Sequence, residues 1–518
     1  MIYQQNLFLK SEKQAFMKVK FTFFVPLIIL AFLFASCEDK DDNGTTGEQK
    51  KNKHVNDWVY SQMNIYYYWR DKMPASRGLD YTISPYDFFE NLLCPYNSGT
   101  KEGDRFSWIQ ESYVDLLNSL SGVSSREIGF EYIPYLMRSG SEDVMFVVAY
   151  IKKGTKAEKS GLKRGDIITK VDGIPLNMNN WSGALYQNKS AYVLEGVNFS
   201  GKITVEPTGS YAENPIYLDS IYTIKDKKIG YIVYNQFTMD NGDNSYIYDK
   251  QLASIFSKFE SENVSDLVLD MRYNGGGYVT CAVNLASALV PQRDTKEIFC
   301  YKDFNPIFTT AARREFTTQE YDQFVNNYFR DNIEYLKNNG STVNMGSIPR
   351  YGDKINKLYI LVGKNTASAS ELVINGLIPF MKNKIVLIGE TTYGKNVGSF
   401  TLYEENNRDN KWGMQPIVSR SYNKLGDSEY AGGFTPGIGL KGEVIEDFAG
   451  IDQGLKPLGD KDENLLGFAL AEITGGTKSK ILKRKSVAGI KSIGSSFALK
   501  PGAYDMVIND KRINKIVK

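Results

Sequence analysis

A serine and a lysine with the types of side chain needed for acyl transfer lie in one stretch of the chain, with a glycine turn before them. Ser370 follows the small residues 366–369, Lys395 ends the segment 390–395, and the turn is Gly275-Gly276-Gly277. A serine hydroxyl attacks a carbonyl group when a base accepts its proton, and a neutral lysine amine can be that base. His54 is the only histidine, so an imidazole base could come only from that residue. These residues therefore indicate a serine–lysine pair.

The elements around the pair are predicted to bring it to one edge of a parallel sheet. Strands and helices alternate from 228 to about 474, which is typical of an α/β domain. Strand 358–362 leads to Ser370 at the start of helix 370–381, and strand 385–389 leads towards Lys395. A right-handed crossover makes these strands parallel, so both residues should lie at the same carboxyl edge.

Two backbone donors are predicted to complete the site. They are the N–H groups of Gly276, in a turn after strand 267–271, and of Glu371, the residue after Ser370. Burial near apolar groups should lower the pKa of Lys395 and make its amine neutral. Ser368 is a competing nucleophile in the same small-residue stretch. The non-catalytic alternative is that Ser370 is a helix N-cap and that Lys395 is an ordinary loop lysine.

The N-terminus has the pattern of an export signal. Residues 1–36 contain the basic stretch Met17–Lys20 and then an uncharged apolar run, 21–36, which is short for a membrane span. The small residues before Cys37 resemble a bacterial lipobox, which implies lipid on Cys37 and a cell-envelope lipoprotein held at the outer membrane. Residues 37–53 are polar and predict a flexible tether. A short membrane anchor with an incidental Cys37 is the alternative.

Composition and the terminal regions set further limits. The formal net charge of +2 gives no reason to expect nucleic-acid binding. Residues 54–120 have apolar and aromatic residues at helical spacing and predict a small helical domain. Residues 475–518 carry eleven Lys and Arg against two Asp, which is typical of a solvated basic tail.

Residues 121–210 resemble a PDZ domain. The stretch 154–166, GTKAEKSGLKRGD, followed by the alternating strand 167–172, carries the resemblance. The carboxylate-binding loop of that family would lie near Ile128-Gly129-Phe130, where an extended peptide would bind by adding a strand to a sheet edge. A structural domain that binds no peptide is the alternative.

The combined pattern resembles the C-terminal processing (tail-specific) peptidases, a serine–lysine family with a PDZ domain and a crotonase-like α/β core. The matching motifs are Leu269–Gly277, Ser368–Glu371 and Gly389–Lys395. The resemblance implies a peptidase domain over 211–474 and an N-terminal helical domain typical of lipoprotein members. It also implies Ser370 as the nucleophile, Lys395 as the base, and protein or peptide substrates cut near their C-termini, with no cofactor and no metal. Many members have an orienting glutamine where this chain has Ser399, so the resemblance makes Ser399 the candidate third catalytic residue, which would hydrogen-bond the Lys395 amine with a shorter side chain.

Two other functions remain open from the sequence. One is a non-catalytic lipoprotein that captures peptides with its PDZ-like domain, which the unusual Ser399 favours. The other is a penicillin-recognising acyl transferase, because Ser-x-x-Lys occurs at Ser98, Ser160 and Ser421. The Lys-Thr-Gly triplet of such enzymes is absent from the sequence, so these three matches look accidental.

Overall fold

The structure is a computed structural model that describes residues 46–337, 341–437, 440–444, 447–448, 454–476 and 492–516. The predicted signal peptide and the predicted lipid site at Cys37 lie outside these residues. None of the helices in these ranges is long and apolar enough to cross a membrane.

The N-terminal region is mostly helical and shares its core with the rest of the protein. Its elements are α1 (Gly47–Tyr66), α2 (Pro85–Leu92), β1 (Trp108–Gln110), α3 (Tyr113–Leu120) and β2 (Val123–Ser124). Helix α1 begins at Gly47 because Thr46 and Gln49 form a capping box, so the predicted tether to residue 53 was too long. The buried face of α1, with Val55 and Met63, belongs to the largest hydrophobic cluster of the protein.

The PDZ-like region forms a separate sheet with its own core. Its strands are β3 (Phe130–Leu136), β4 (Val144–Ile151), β5 (Ile167–Val171), β6 (Ile174–Pro175), β7 (Tyr192–Gly196) and β8 (Lys202–Val205). The order is β3-β4-β5-β7-β8, with β6 beside β5, so β3 is an edge strand. Buried apolar residues such as Phe146, Ile168 and Trp181 form the core of this sheet.

The remaining elements form the α/β core. The helices are α4 (Ile247–Ser261), α5 (Val279–Leu289), α6 (Pro306–Glu315), α7 (Thr318–Val325), α8 (Ala369–Met381) and α9 (Asn464–Thr474). The strands are β9 (Tyr211–Ala212), β10 (Ile216–Ile224), β11 (Lys227–Tyr234), β12 (Asp266–Asp270), β13 (Gly277–Tyr278), β14 (Ile298–Phe304), β15 (Asn326–Tyr328), β16 (Asn332–Leu336), β17 (Thr342–Ser347), β18 (Lys357–Val362), β19 (Ile385–Gly389), β20 (Val397–Ser399), β21 (Leu402–Tyr403), β22 (Gly413–Gln415), β23 (Ile417–Asn423), β24 (Lys441–Val444) and β25 (Met506–Val507).

The central sheet has the order β10-β11-β12-β18-β19-β24. All neighbours are parallel except β10 and β11, and the register aligns Val362 with Gly389 at the ends of β18 and β19. The central strands β12, β18 and β19 are almost entirely buried, as parallel strands that are covered on both faces require. The predicted α/β class is confirmed, and α8 and β19 begin within one residue of the prediction.

A buried ionic network joins the PDZ-like region to the core. Arg272 follows β12 and contacts Asp270 at 2.8 Å, Asp447 at 2.6 Å and Glu463 at 2.7 Å. Arg164 of the PDZ-like region contacts the same Asp447 at 2.9 Å. Asp270 and Arg272 therefore make structural contacts.

The C-terminal segment 492–516 is not the solvated tail that its charge predicted. It inserts β25 between β13 and β20, where Met506 and Val507 are buried. The apolar residues Phe497 and Leu499 are also nearly buried. Within 492–516 four Lys and Arg stand against two Asp, so most of the basic residues behind the tail prediction lie outside this segment, and its apolar side chains pack into the protein.

Candidate active site

The glycine turn and the serine-rich loop meet at the carboxyl edge of the central sheet. The turn follows β12, and the loop 363–368 joins β18 to α8. The Ala367 N–H donates to the Asn274 carbonyl at 3.1 Å, which ties the loop to the turn. A Cβ atom added to Gly276 would lie 3.0 Å from Ser368 Oγ, so only glycine allows this close approach.

The two serines of the loop have different environments. Ser370 Oγ donates to the Asn274 carbonyl at 3.0 Å, and its N–H donates to Ala367 O at 3.1 Å. Ser368 is the N-cap of α8 with φ 62° and ψ −116°, a left-handed backbone that costs a β-carbon residue about 1–3 kcal/mol. Its hydroxyl is fully buried and, within the part of the chain that the structure describes, has no hydrogen-bond partner.

Backbone strain and an unpaired buried hydroxyl are costs that a purely structural serine has no reason to retain. The hydroxyl and the N–H of Ser370, by contrast, both donate hydrogen bonds that hold the loop. The geometry therefore favours Ser368, the competing nucleophile, over Ser370.

The Glu371 carboxylate brings the serine and lysine segments together. Its Oε2 accepts from the Ser368 N–H at 2.9 Å and from the Lys395 N–H at 2.8 Å. Its Oε1 accepts from the Gly394 N–H at 2.8 Å and from Thr392 Oγ1 at 2.5 Å. Burial raises the pKa of Glu371 to about 7, against the opposite effect of these hydrogen bonds. The Glu371 N–H stays a predicted oxyanion donor, and the Glu371 side chain in addition positions both loops.

Lys395 is buried and paired with a carboxylate. Its Nζ donates to Asp505 Oδ1 at 3.1 Å and lies 4.6 Å from the centre of the Phe106 ring. Burial lowers the pKa of Lys395, as predicted, while Asp505 and the more distant Asp104 act in the opposite direction. The amine is thus held ready to lose its proton once the carboxylate contact is broken.

Two predicted members of the site have other partners. The Gly276 N–H donates to the side-chain oxygen of Asn274 at 2.9 Å, so it is not free to receive an oxyanion, and that prediction was wrong for this conformation. Ser399 Oγ donates to Met506 O at 3.3 Å and accepts from Gln415 Nε2 at 3.0 Å. Asp505, and not Ser399, therefore contacts the lysine amine.

Sequence reasoning missed Asp505. It is 110 positions from Lys395, in a segment whose charge suggested a tail. The apolar run Met506-Val507-Ile508 after a Pro-Gly turn was the available signal for a buried strand. Once β25 is placed, its carbonyl neighbour Asp505 O accepts from the Gly277 N–H at 2.7 Å, and the carboxylate faces the lysine.

The remaining predicted residues lie away from this centre. Ile128 and Phe130 line a cavity of about 350 Å³ that extends to Gly275–277, so the PDZ-like loop and the glycine turn border one space. The Gly129 N–H donates to Glu127 Oε1 at 3.0 Å. His54 lies on α1 and contacts Asn407 at 3.3 Å, so no imidazole takes part in the site.

Comparison with known proteins gives the same domain order. The model of peptidase family S41 matches residues 228–439, and the model of the S41 N-terminal domain matches 54–108. Together these two models cover just over half of the chain, and a PDZ domain model matches 147–193 between them. The chain belongs to the S41 peptidase family.

Two relatives are about one quarter identical to this chain over the residues that align. The carboxy-terminal processing protease CtpA of Bacillus subtilis is 25% identical over 289 residues, 55% of this chain and 51% of CtpA. The chloroplastic C-terminal processing peptidase of Tetradesmus obliquus is 24% identical over 346 residues, 63% of this chain and 62% of that protein. The chain thus matches only half to three-fifths of the length of these relatives.

A solved S41 structure shows the same fold. A Bacteroides fragilis protein described as a "Putative S41 protease" superposes with a TM-score of 0.60 at 24% identity, over 81% of this chain and 97% of that chain. The PDZ-containing α/β architecture described above is therefore an established S41 fold.

Proposed function

We propose that this S41 member is a serine peptidase that uses Ser368 as the nucleophile and Lys395 as the general base. The observation that carries the proposal is the shared contact of both residues with Glu371 Oε2, together with the strained, unpaired Ser368 hydroxyl. Ser370 acts as a structural neighbour that fixes the loop.

The proposed mechanism follows from which groups of the site lose and gain protons. Lys395 Nζ first leaves Asp505 and releases one proton to solvent water, which burial favours because it disfavours the charged ammonium. Ser368 Oγ then attacks the substrate carbonyl while Nζ takes the hydroxyl proton. The developing oxyanion is proposed to lie at the N-terminus of α8, because the first turn of a helix has N–H groups without helical partners. The amine returns the proton to the leaving nitrogen, and water hydrolyses the acyl-enzyme by the same base.

The substrates that fit this site are extended protein or peptide chains. The cavity beside Ile128 and Phe130 reaches Gly275–277, so a peptide held by the PDZ-like region would extend towards the nucleophile. This arrangement supports cleavage near substrate C-termini, the activity that the names of the two curated relatives carry.

A matched pair of serine variants tests the assignment. Ser368→Ala should abolish cleavage of casein, because it removes the nucleophile. Ser370→Ala should retain a substantial fraction of the activity, since it removes one hydrogen bond to Asn274. Thermal melting of both variants is the control for folding. Full activity of Ser368→Ala with loss in Ser370→Ala would reverse the assignment, and activity in both would reject serine catalysis.

We further propose that the chain is a cell-envelope lipoprotein anchored at the outer membrane through lipid on Cys37. The small residues before Cys37 and the preceding apolar run support this location. Cys37→Ser should move the protein from the membrane fraction to the soluble fraction without changing casein cleavage. Retention of the variant in the membrane fraction would contradict lipid anchoring.

A further inference from the structure

The segment 492–500 lies on β3, the edge strand of the PDZ-like sheet, as an additional strand would. Ser492 pairs antiparallel with Tyr135. The Ile493 N–H donates to Pro134 O at 3.0 Å, and the Ser496 N–H donates to Tyr132 O at 3.0 Å. The Tyr132 N–H donates to Ser496 Oγ at 2.8 Å. This is the main-chain pattern by which an extended peptide adds to a sheet edge.

The side chains of the segment occupy pockets along that edge. Leu499 belongs to the core cluster of the PDZ-like region, and Ile493 packs against it. The Phe497 ring stacks on Tyr273 with 5.5 Å between ring centres. Lys500 forms an ion pair with the buried Glu131. The segment thus combines apolar anchors with a charged contact, as a bound ligand does.

The direction of the segment matches that of a chain terminus entering the predicted carboxylate loop. From Ser492 to Lys500 it runs antiparallel to β3, towards the loop 128–130. In that loop, the Gly129 N–H already donates to the Glu127 carboxylate, which Lys152 neutralises at 2.8 Å. Neither the edge nor this donor is therefore open to an incoming peptide terminus.

The same segment continues into the peptidase site. Tyr504 stacks on Tyr393 with ring centres 4.3 Å apart, and Asp505 pairs with Lys395 at 3.1 Å. Two backbone–backbone hydrogen bonds hold 492–500 on β3, where Phe497 and Leu499 are nearly buried, and Met506 and Val507 are buried in a sheet.

We propose that residues 492–500 are an internal ligand of the PDZ-like region, which an extended peptide with apolar side chains must displace from β3 before it is cleaved. The proposal rests on the proposed peptidase function, because it describes how the same site is kept from substrate. The molecule that competes with this segment for β3 is an extended peptide chain with a free C-terminus.

A disulfide between the two paired residues tests the exchange. Antiparallel partners have Cα atoms about 4.5–5.5 Å apart, within the range of a disulfide. The double variant Tyr135→Cys, Ser492→Cys, made in the full chain in detergent, locks the segment when oxidised and frees it when reduced. The probe is a fluorescent peptide with the sequence of residues 492–500, SIGSSFALK. Its binding is measured by fluorescence anisotropy. Adding Ser368→Ala keeps the probe intact.

The tethered segment competes at an effective concentration on the order of millimolar. We therefore expect Ile493→Ser, which removes an apolar anchor, to bind the probe about tenfold or more tightly than wild type. The oxidised lock should bind at least about tenfold more weakly than its reduced form. With Ser368 intact, oxidation should lower casein turnover and reduction should restore it, while wild type under the same redox conditions stays unchanged.

Equal probe binding by the oxidised and reduced forms would overturn the internal-ligand proposal, and so would failure of Ile493→Ser to bind the probe. Redox-dependent probe binding in a protein that never cleaves casein would reject the peptidase function and leave the internal ligand standing. Casein cleavage by a protein whose probe binding does not depend on redox state would reject the internal ligand and leave the peptidase function standing. The two proposals therefore fail separately.

Discussion

Asp505→Asn tests how the protonation of the general base is controlled. The side chain keeps its size and can still accept the hydrogen bond that Trp108 Nε1 gives to Asp505 at 2.9 Å. What it loses is the negative charge 3.1 Å from Lys395 Nζ. Because that charge favours the ammonium form, its removal must lower the pKa of Lys395.

The size of the effect follows from the distance. At 3.1 Å and an effective dielectric constant of about 20, two unit charges interact by about 5 kcal/mol, which is an upper limit for the change. A contacting opposite charge usually shifts a pKa by about 1–3 units. We therefore expect the acidic limb of the pH profile to move down by about 1–3 pH units.

The assay is kcat/KM for a fluorogenic peptide between pH 5 and pH 10, in which activity rises as the base loses its proton. The groups that face Lys395 are Asp505, Asp104 and Arg105, and only the first is altered. Asp510→Asn is the matched control, since Asp510 lies in the same segment and pairs with Arg512. An unchanged midpoint in Asp505→Asn, or an upward shift, would refute the reasoning.

Three further variants examine the supporting structure. Glu371→Gln places an NH₂ group among N–H donors, so transition-state stabilisation, measured from kcat/KM, should fall by about 1–3 kcal/mol. Near wild-type kinetics would contradict the positioning role. Gly276→Ala brings a Cβ within 2.6 Å of Ser368 Cβ, and should reduce kcat about tenfold or more while secondary structure measured by circular dichroism persists. Arg272→Met leaves buried carboxylates uncompensated and should lower the free energy of unfolding by about 3–5 kcal/mol, measured by denaturation, whereas Lys202→Met at an exposed ion pair should change it by less than about 1 kcal/mol.

The sequence predicted the scaffold of the site well because local signals determine it. Strands 358–362 and 385–389 and the intervening helix were found within one residue, since apolar runs and small-residue loops mark them. Parallel pairing then follows from the crossover rule, and it placed both loops at one edge correctly.

The choice between two serines and the partner of the lysine depended on information that spacing does not contain. Ser368 and Ser370 are two residues apart at the start of α8, and the backbone of the folded chain, with φ 62° and ψ −116° at Ser368, gives their hydroxyls different surroundings. Asp505 reaches Lys395 only after β25 has inserted into a sheet, a contact between distant parts of the chain. Charge alone described that segment as a tail, although its apolar residues made it part of the core.

The most direct test of the account is to identify the serine that becomes covalently modified. The full chain is treated with a fluorophosphonate probe, which reacts with an activated serine hydroxyl, and the labelled peptide is located by mass spectrometry. The account predicts that the label lies on Ser368 and disappears in Lys395→Met. A label on Ser370, or labelling of Ser368 that does not depend on Lys395, would contradict it.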